Sequence, residues 1–162
     1  MKLEFRKAES ADVTVIEACA NQAYSQYVKA IGKKPAPMCA DFAVLIQRGF
    51  VYIAVDAENR DDDPDSGFTG FIVLYPQPDQ QSLFVENIAV LPDLSGNGIG
   101  TALMSYAEAT AREKLIPTMS LYTNAKMTRN LDWYVKLGFV ETRRIREDGF
   151  DRVYFEKTLI LP

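Results

Sequence analysis

Gly96, Gly98 and Gly100 stand at alternate positions where the apolar-rich run 85–91 passes through Pro92 into a helix-like segment. Glycines so placed remove side chains where backbone N–H groups converge on a helix start. The unpaired amides and the positive end of the helix dipole then point outward and cradle phosphate. The chemistry suggested is capture of a phosphorylated ligand by the amides of Gly96, Asn97, Gly98, Ile99, Gly100 and Thr101. Two familiar phosphate motifs fail here. A P-loop needs Lys-Ser/Thr after its last glycine, whereas Thr101-Ala102 follows Gly100. The dinucleotide fingerprint needs a third glycine, at Thr101 read from Gly96 or at Leu103 read from Gly98. The plainer alternative is a helix entry that needs small residues for packing.

The chain has no histidine, which excludes the usual zinc sets and every Ser–His or Cys–His nucleophile. Acid–base work falls to carboxylates, Tyr, Cys, Lys or the backbone. Cys19 and Cys39 have no paired spacing and read as buried, inert thiols. Asp61, Asp63 and Asp65 alternate as at the start of a calcium loop, but Ser66 takes the glycine position and Ile72 the position of the bidentate Glu. This segment reads as a solvated hairpin loop, and no metal is expected.

The elements that must position the glycine turn follow from periodicity. Residues 2–6 alternate as a first strand, and Ser10 is a plausible N-cap. Ile16, Cys19, Ala20, Ala23, Tyr24, Tyr27 and Ile31 recur at helical spacing, stopped at Gly32. A short helix follows over 41–48. Strands at 50–55 and 67–75 form a hairpin, and a long strand over 83–91 enters the glycine turn. A helix from 98 to about 114, a strand over 117–122, a helix over 126–137 closed by Gly138, and a final hairpin of 140–146 and 152–159 complete the pattern. The order βααβββαβαββ makes an α/β (α+β) chain with a mixed central sheet flanked by helices, expected as one domain over 1–162. Its 162 residues can bury a sizeable core, and 48% apolar with 25% charged residues is ordinary for a soluble protein. The net charge of −4 argues against a general nucleic-acid binder. No apolar run approaches the roughly 18 residues of a membrane span, and the charged start Met1-Lys2-Leu3-Glu4-Phe5-Arg6-Lys7 is unlike a signal peptide. No membrane partner and a cytoplasmic location are the expectations.

Val90-Leu91-Pro92 followed by Ser95-Gly96-Asn97-Gly98-Ile99-Gly100 resembles the signature of the GCN5-related N-acetyltransferase (GNAT) superfamily, Arg/Gln-x-x-Gly-x-Gly/Ala after an apolar-x-Pro step. Ser95 stands where the family has Arg or Gln. Downstream, Tyr134-Val135-Lys136-Leu137-Gly138-Phe139 resembles the family's Tyr-x-x-x-Gly-Phe, with Leu121-Tyr122-Thr123-Asn124 between the two. The resemblance spans residues 83–140 and extends in element order over the whole chain. It implies a GNAT fold and acetyl-CoA as co-substrate, with Ser95 to Thr101 on its pyrophosphate and the backbone of Ile88, Ala89 and Val90 along its pantetheine arm. Asn124 and Asn130 are further candidate contacts to that arm; Met127 stands where the family often has Asn. The implied partner is a small-molecule or protein amine, and similar proteins often form homodimers.

The reaction implied is direct acetyl transfer to an amine. Alkyl amines are mostly protonated near neutral pH, so a base must take a proton and an acid must protonate the departing thiolate. Glu86 is the base candidate: it interrupts the apolar run of its strand, where an unpaired carboxylate is costly and its pKa rises. Its place also resembles the general-base glutamate of some members. Tyr134 is the acid candidate by match to the family tyrosine. Tyr24, Tyr27, Met38, Met127 and Phe150 are expected to wall an acceptor pocket built by the first helix, the loop 32–38 and the last hairpin. Arg143, Arg144 and Arg146 read as exposed ion-pair partners. Two rivals are a non-catalytic CoA or acyl-CoA sensor on the same fold and a nucleotide-binding interaction protein.

Overall fold

The structure, a computed structural model, describes residues 1–63 and 65–162; Pro64, inside the acidic loop read above, lies outside the described residues. Strands β1 (Leu3–Lys7), β2 (Val51–Asp56), β3 (Phe68–Gln77), β4 (Ser82–Val90), β5 (Thr118–Asn124), β6 (Val140–Glu147) and β7 (Phe150–Thr158) form one mixed sheet in the order β1-β2-β3-β4-β5-β7-β6. All neighbours are antiparallel except β4 and β5, which are parallel. A parallel pair needs a crossover, and α4 (Ile99–Glu113) supplies it. The other helices are α1 (Val13–Tyr24), α2 (Val28–Ile31), α3 (Phe42–Gln47) and α5 (Thr128–Lys136).

Helices pack on both faces of the sheet, which is why β3 is buried without a break from Phe68 to Leu74. Ile99, Leu103, Met104, Ala107 and Ala111 of α4 meet Val85, Met119, Leu121 and Phe155 in one cluster, joined by Tyr134 of α5. Ile16, Cys19, Ala20 and Tyr24 of α1 meet Phe42 and Ile46 of α3 over Val51, Ile53, Phe71 and Val73 in the other. Leu103 is fully buried, so truncation to Ala would cost about 2–5 kcal/mol.

The observed order has one helix more than βααβββαβαββ. The helix read through Ile31 breaks at a 3-10 turn, Ser25–Tyr27, into α1 and α2. There the Ser25 hydroxyl and the Gln26 amide donate to the carbonyls of Gln22 and Ala23, offering the backbone an alternative to the helical ladder. Ser10 does not cap α1; it opens a 3-10 turn ahead of Val13, and the Asp12 carboxylate accepts the Glu9 N–H at 2.7 Å. Cys19 is buried as expected, but Cys39 is exposed, because the turn that carries it crosses the surface.

One irregularity shapes the rest of the molecule. β3 and β4 pair as Val73↔Asn87 and then Leu74↔Val85, leaving Glu86 as an extra residue of β4. Such a bulge bends its strand and increases local twist. The β4–β5 ladder runs from Ser82↔Thr118 to Val85↔Leu121. Beyond that rung the two strands line a cleft.

Candidate active site

Glu86 is the first β4 residue past the last β4–β5 rung, and its side chain lines the cleft. Oε1 accepts the Tyr75 hydroxyl at 3.4 Å. Oε2 is enclosed and has no hydrogen-bond partner among the described residues. Burial pushes the carboxyl above its ordinary value, and the Tyr75 hydrogen bond opposes this only in part. An enclosed polar atom without a partner is costly. Tyr75 is itself pushed up to about 12, first by burial and then by the Glu86 charge. An aromatic row continues from Tyr75 through Phe84 to Tyr122, with ring centroids 5.5 and 5.6 Å apart.

Tyr134 lies across the cleft on α5. It is 5% exposed and packs against Phe155 and Phe139, with centroids at 5.7 and 6.0 Å. Burial raises its phenol well above the ordinary value, with Tyr27 adding a smaller effect. A phenol held neutral in this way keeps its O–H available as a hydrogen-bond donor.

Tyr24 fixes the outer half of β4. Its hydroxyl lies 2.8 Å from Asn87 Oδ1 and 2.7 Å from the Ile88 carbonyl, and it donates between the two acceptors. Asn87 in turn donates to the Pro37 carbonyl at 3.3 Å, tying the loop before α3 to the strand.

A second groove runs from the outer half of β4 to the start of α4. It is lined by Ile88, Ala89, Val90, Ser95, Gly96, Gly98, Ile99, Gly100, Thr101 and Trp133. Tyr24, Ile88 and Asn130 line both groove and cleft, so the two meet there. The first backbone bond of α4 runs from Ala102 N–H to the Gly98 carbonyl, and no side chain caps the helix. The N–H groups of Ile99, Gly100 and Thr101 thus have no intrahelical acceptor and face the positive end of the dipole. The three glycines differ in purpose. Gly96 and Gly98 hold φ of +83° and +80°, a left-handed backbone that favours glycine, and open space surrounds them. At Gly100 an added Cβ would stand 3.2 Å from the Trp133 ring, so its role is close packing.

The remaining expected site residues divide. Asn124, Asn130, Met127 and Phe150 line the cleft; Asn124 Oδ1 accepts the Lys126 N–H at 2.9 Å. Asn97 is exposed and its side chain donates to the Leu94 carbonyl, leaving only its backbone near the turn. Tyr27 lines the groove rather than the cleft. Met38 packs against the cluster under α1 and α3, while Pro37 and Ala40, three residues apart around a 3-10 turn, line the cleft instead. Arg144 and Arg146 pair with Glu141 and Asp151, and Arg143 stacks 4.2 Å over Tyr154. Tyr75, Tyr122 and Arg152 were not anticipated. Tyr122 and Arg152 line the cleft, and Tyr75 bonds Glu86. Among the described residues no group of three or more His, Cys, Asp or Glu side chains could hold a metal ion, and no helix is long and apolar enough to cross a membrane.

The same architecture occurs in solved structures. The PaiA N-acetyltransferase of Thermoplasma acidophilum, in complex with coenzyme A, aligns over 98% of this chain and 100% of its own at TM-score 0.76 and 20% identity. The ribosomal-protein-S18-alanine N-acetyltransferase of Escherichia coli aligns over 99% of this chain and 96% of its own at TM-score 0.74 and 17% identity. Ard1 of Thermoplasma volcanium aligns over 99% of both chains at TM-score 0.76 and 16% identity. At such identities the likeness is one of fold. No curated protein sequence matches the chain. The sequence model of the acetyltransferase (GNAT) family matches residues 18–139, well over half of the 162, and the chain therefore belongs to that family.

Proposed function

We propose that the chain is an N-acetyltransferase that uses acetyl-CoA and acetylates an amine by direct transfer, with residues 1–162 acting as one catalytic domain. The observation that carries this reading is the meeting of groove and cleft. An uncapped helix N-terminus lies at one end, and a carboxylate with an unpartnered oxygen lies beyond the junction at Tyr24, Ile88 and Asn130. The free amides of Ile99, Gly100 and Thr101 suit a pyrophosphate. Open space at Gly96 and Gly98 admits it, and the β4 edge of Ile88, Ala89 and Val90 suits an amide-bearing arm.

Acetyl-CoA supplies the acetyl group as a thioester whose sulfur departs. Glu86, directly or through one water, takes the proton that an alkylammonium must lose before its nitrogen can attack. Its raised pKa narrows the gap to the amine, which eases that transfer. Tyr134 holds its proton for the departing sulfur, and Tyr75 orients Glu86. Ligand-dependent melting tests the binding half: CoA and acetyl-CoA raise the melting temperature, and ATP and NAD do so less. Stabilisation by ATP or NAD without CoA would instead support the nucleotide-binding reading.

A further inference from the structure

Arg152 is 9% exposed and lines the same cleft as Glu86 and Tyr134. A buried guanidinium needs partners, yet its protein partners engage one nitrogen alone. Nη1 donates to Glu147 Oε1 at 3.2 Å and to Asp148 Oδ2 at 3.0 Å. Nε and Nη2 have no acceptor among the described residues. Among the described residues the enclosed side-chain atom left without a partner is Glu86 Oε2, so Nε and Nη2 of Arg152, a residue that lines the cleft, are not themselves enclosed. The guanidinium is also held in place, stacked 4.2 Å over the Tyr122 ring. The Nε–Nη2 edge of a fixed guanidinium is a two-donor fork that matches a carboxylate.

The neighbouring charges leave that fork in use. Asp148 is 78% exposed, so its pairing is largely screened, and Glu147 is shared with the Tyr154 hydroxyl. Lys33 adds a positive charge 4.1 Å over the Phe150 ring at the cleft wall. Tyr122 lines the same cleft as Arg152 and Glu86.

Resting on the acetyltransferase reading above, we propose that the acceptor is a small amino acid-like molecule. Its carboxylate binds Nε and Nη2 of Arg152, and its ammonium group lies at Glu86. Pro35, Pro37, Met127 and Phe150 then face an apolar side chain. Arg152 is on this account a specificity-determining residue, and a role confined to tying the β6–β7 turn is the competing explanation.

The test compares α-amino acids, β-alanine and γ-aminobutyrate with their primary carboxamides as acceptors, at fixed acetyl-CoA. The carboxamide keeps the amine and the shape and removes the charge. The expected result is a kcat/KM at least about tenfold higher for the acid than for its amide, the worth of a charge-assisted pair. Arg152→Gln removes that preference and leaves CoA affinity unchanged. Should that variant not fold, Arg152→Lys, which keeps the charge and loses the fork, shows a reduced preference. Amides used as well as acids by the wild type overturn the inference, as does a preference undiminished by substitution. Acetylation of simple amines but of no carboxylate-bearing amine overturns this inference alone. Failure to acetylate any amine overturns the transferase reading with it.

Discussion

Val85 and Leu121 form the last rung between β4 and β5, and the next residue of β4 is Glu86. The residue that bulges out of the β3–β4 register is thus also the first to meet the space between the parting strands. An extra residue of this kind bends its strand, and Glu86 Oε2 has no partner there among the described residues.

Replacing Glu86 by Gln separates its cost to the fold from its use in the reaction. Burial raises the carboxyl above its ordinary 4.5 in the folded protein. The sign follows: its favourable contribution is full below the ordinary value and is lost as pH rises through the raised folded value. At neutral pH the charged group therefore destabilises, and Glu86→Gln melts higher than the wild type. The gain disappears as pH falls below 4.5. A variant that melts no higher at pH 7 contradicts an unpaired buried charge.

The same substitution lowers turnover by about 100-fold, the usual worth of a positioned base. Wild-type kcat rises with pH as Glu86 ionises, with a midpoint above 4.5, and the variant lacks that limb. An identical pH profile in both proteins removes Glu86 from the reaction.

Tyr134→Phe keeps the packing against Phe155 and deletes only the hydroxyl. Turnover falls by about 100-fold while the KM for acetyl-CoA stays within about twofold, the pattern of a group that acts in the transition state. Unchanged turnover with a good acceptor rules out the acid role.

Trp133 is the one tryptophan of the chain and lines the groove beside Gly100, so its fluorescence reports on occupancy. CoA titration changes the emission and saturates. Gly100→Ala places a methyl 3.2 Å from the Trp133 ring, so the ring must shift by a few tenths of an ångström, and CoA binding weakens. Emission indifferent to saturating CoA places the ligand elsewhere.

Much of the proposed site was legible as a candidate from residue types in order. The glycine turn, the carboxylate within the apolar run of β4 and Tyr134 ahead of Gly138-Phe139 each break a local pattern, and such breaks are visible in one dimension. Tyr75 and Tyr122 were not, because strand aromatics look alike whether they fill a core or floor a cleft. The bulge at Glu86 depends on how β3 and β4 register, which neither strand encodes alone. Arg152 was hidden among the arginines of the last hairpin. Arg143, Arg144 and Arg146 lie on β6, at the sheet edge, whereas Arg152 lies on the interior strand β7 beside β5. The break between α1 and α2 at Ser25 was masked by a helical apolar spacing that persists through it.

Ser95 lines the groove where many relatives by resemblance carry Arg or Gln. Ser95→Arg adds a charge-assisted contact to a pyrophosphate and lowers the KM for acetyl-CoA by about tenfold. No change in KM means that the side chain at this position does not reach the ligand.

The most direct test incubates the protein with acetyl-CoA and a panel of small amines, amino acids, aminated antibiotics and peptides, and counts released CoA thiol and acetylated product together. The account predicts one thiol for each acetylated amine. Saturable CoA binding with no acetylated amine from the panel would contradict it and identify a sensor on the same fold.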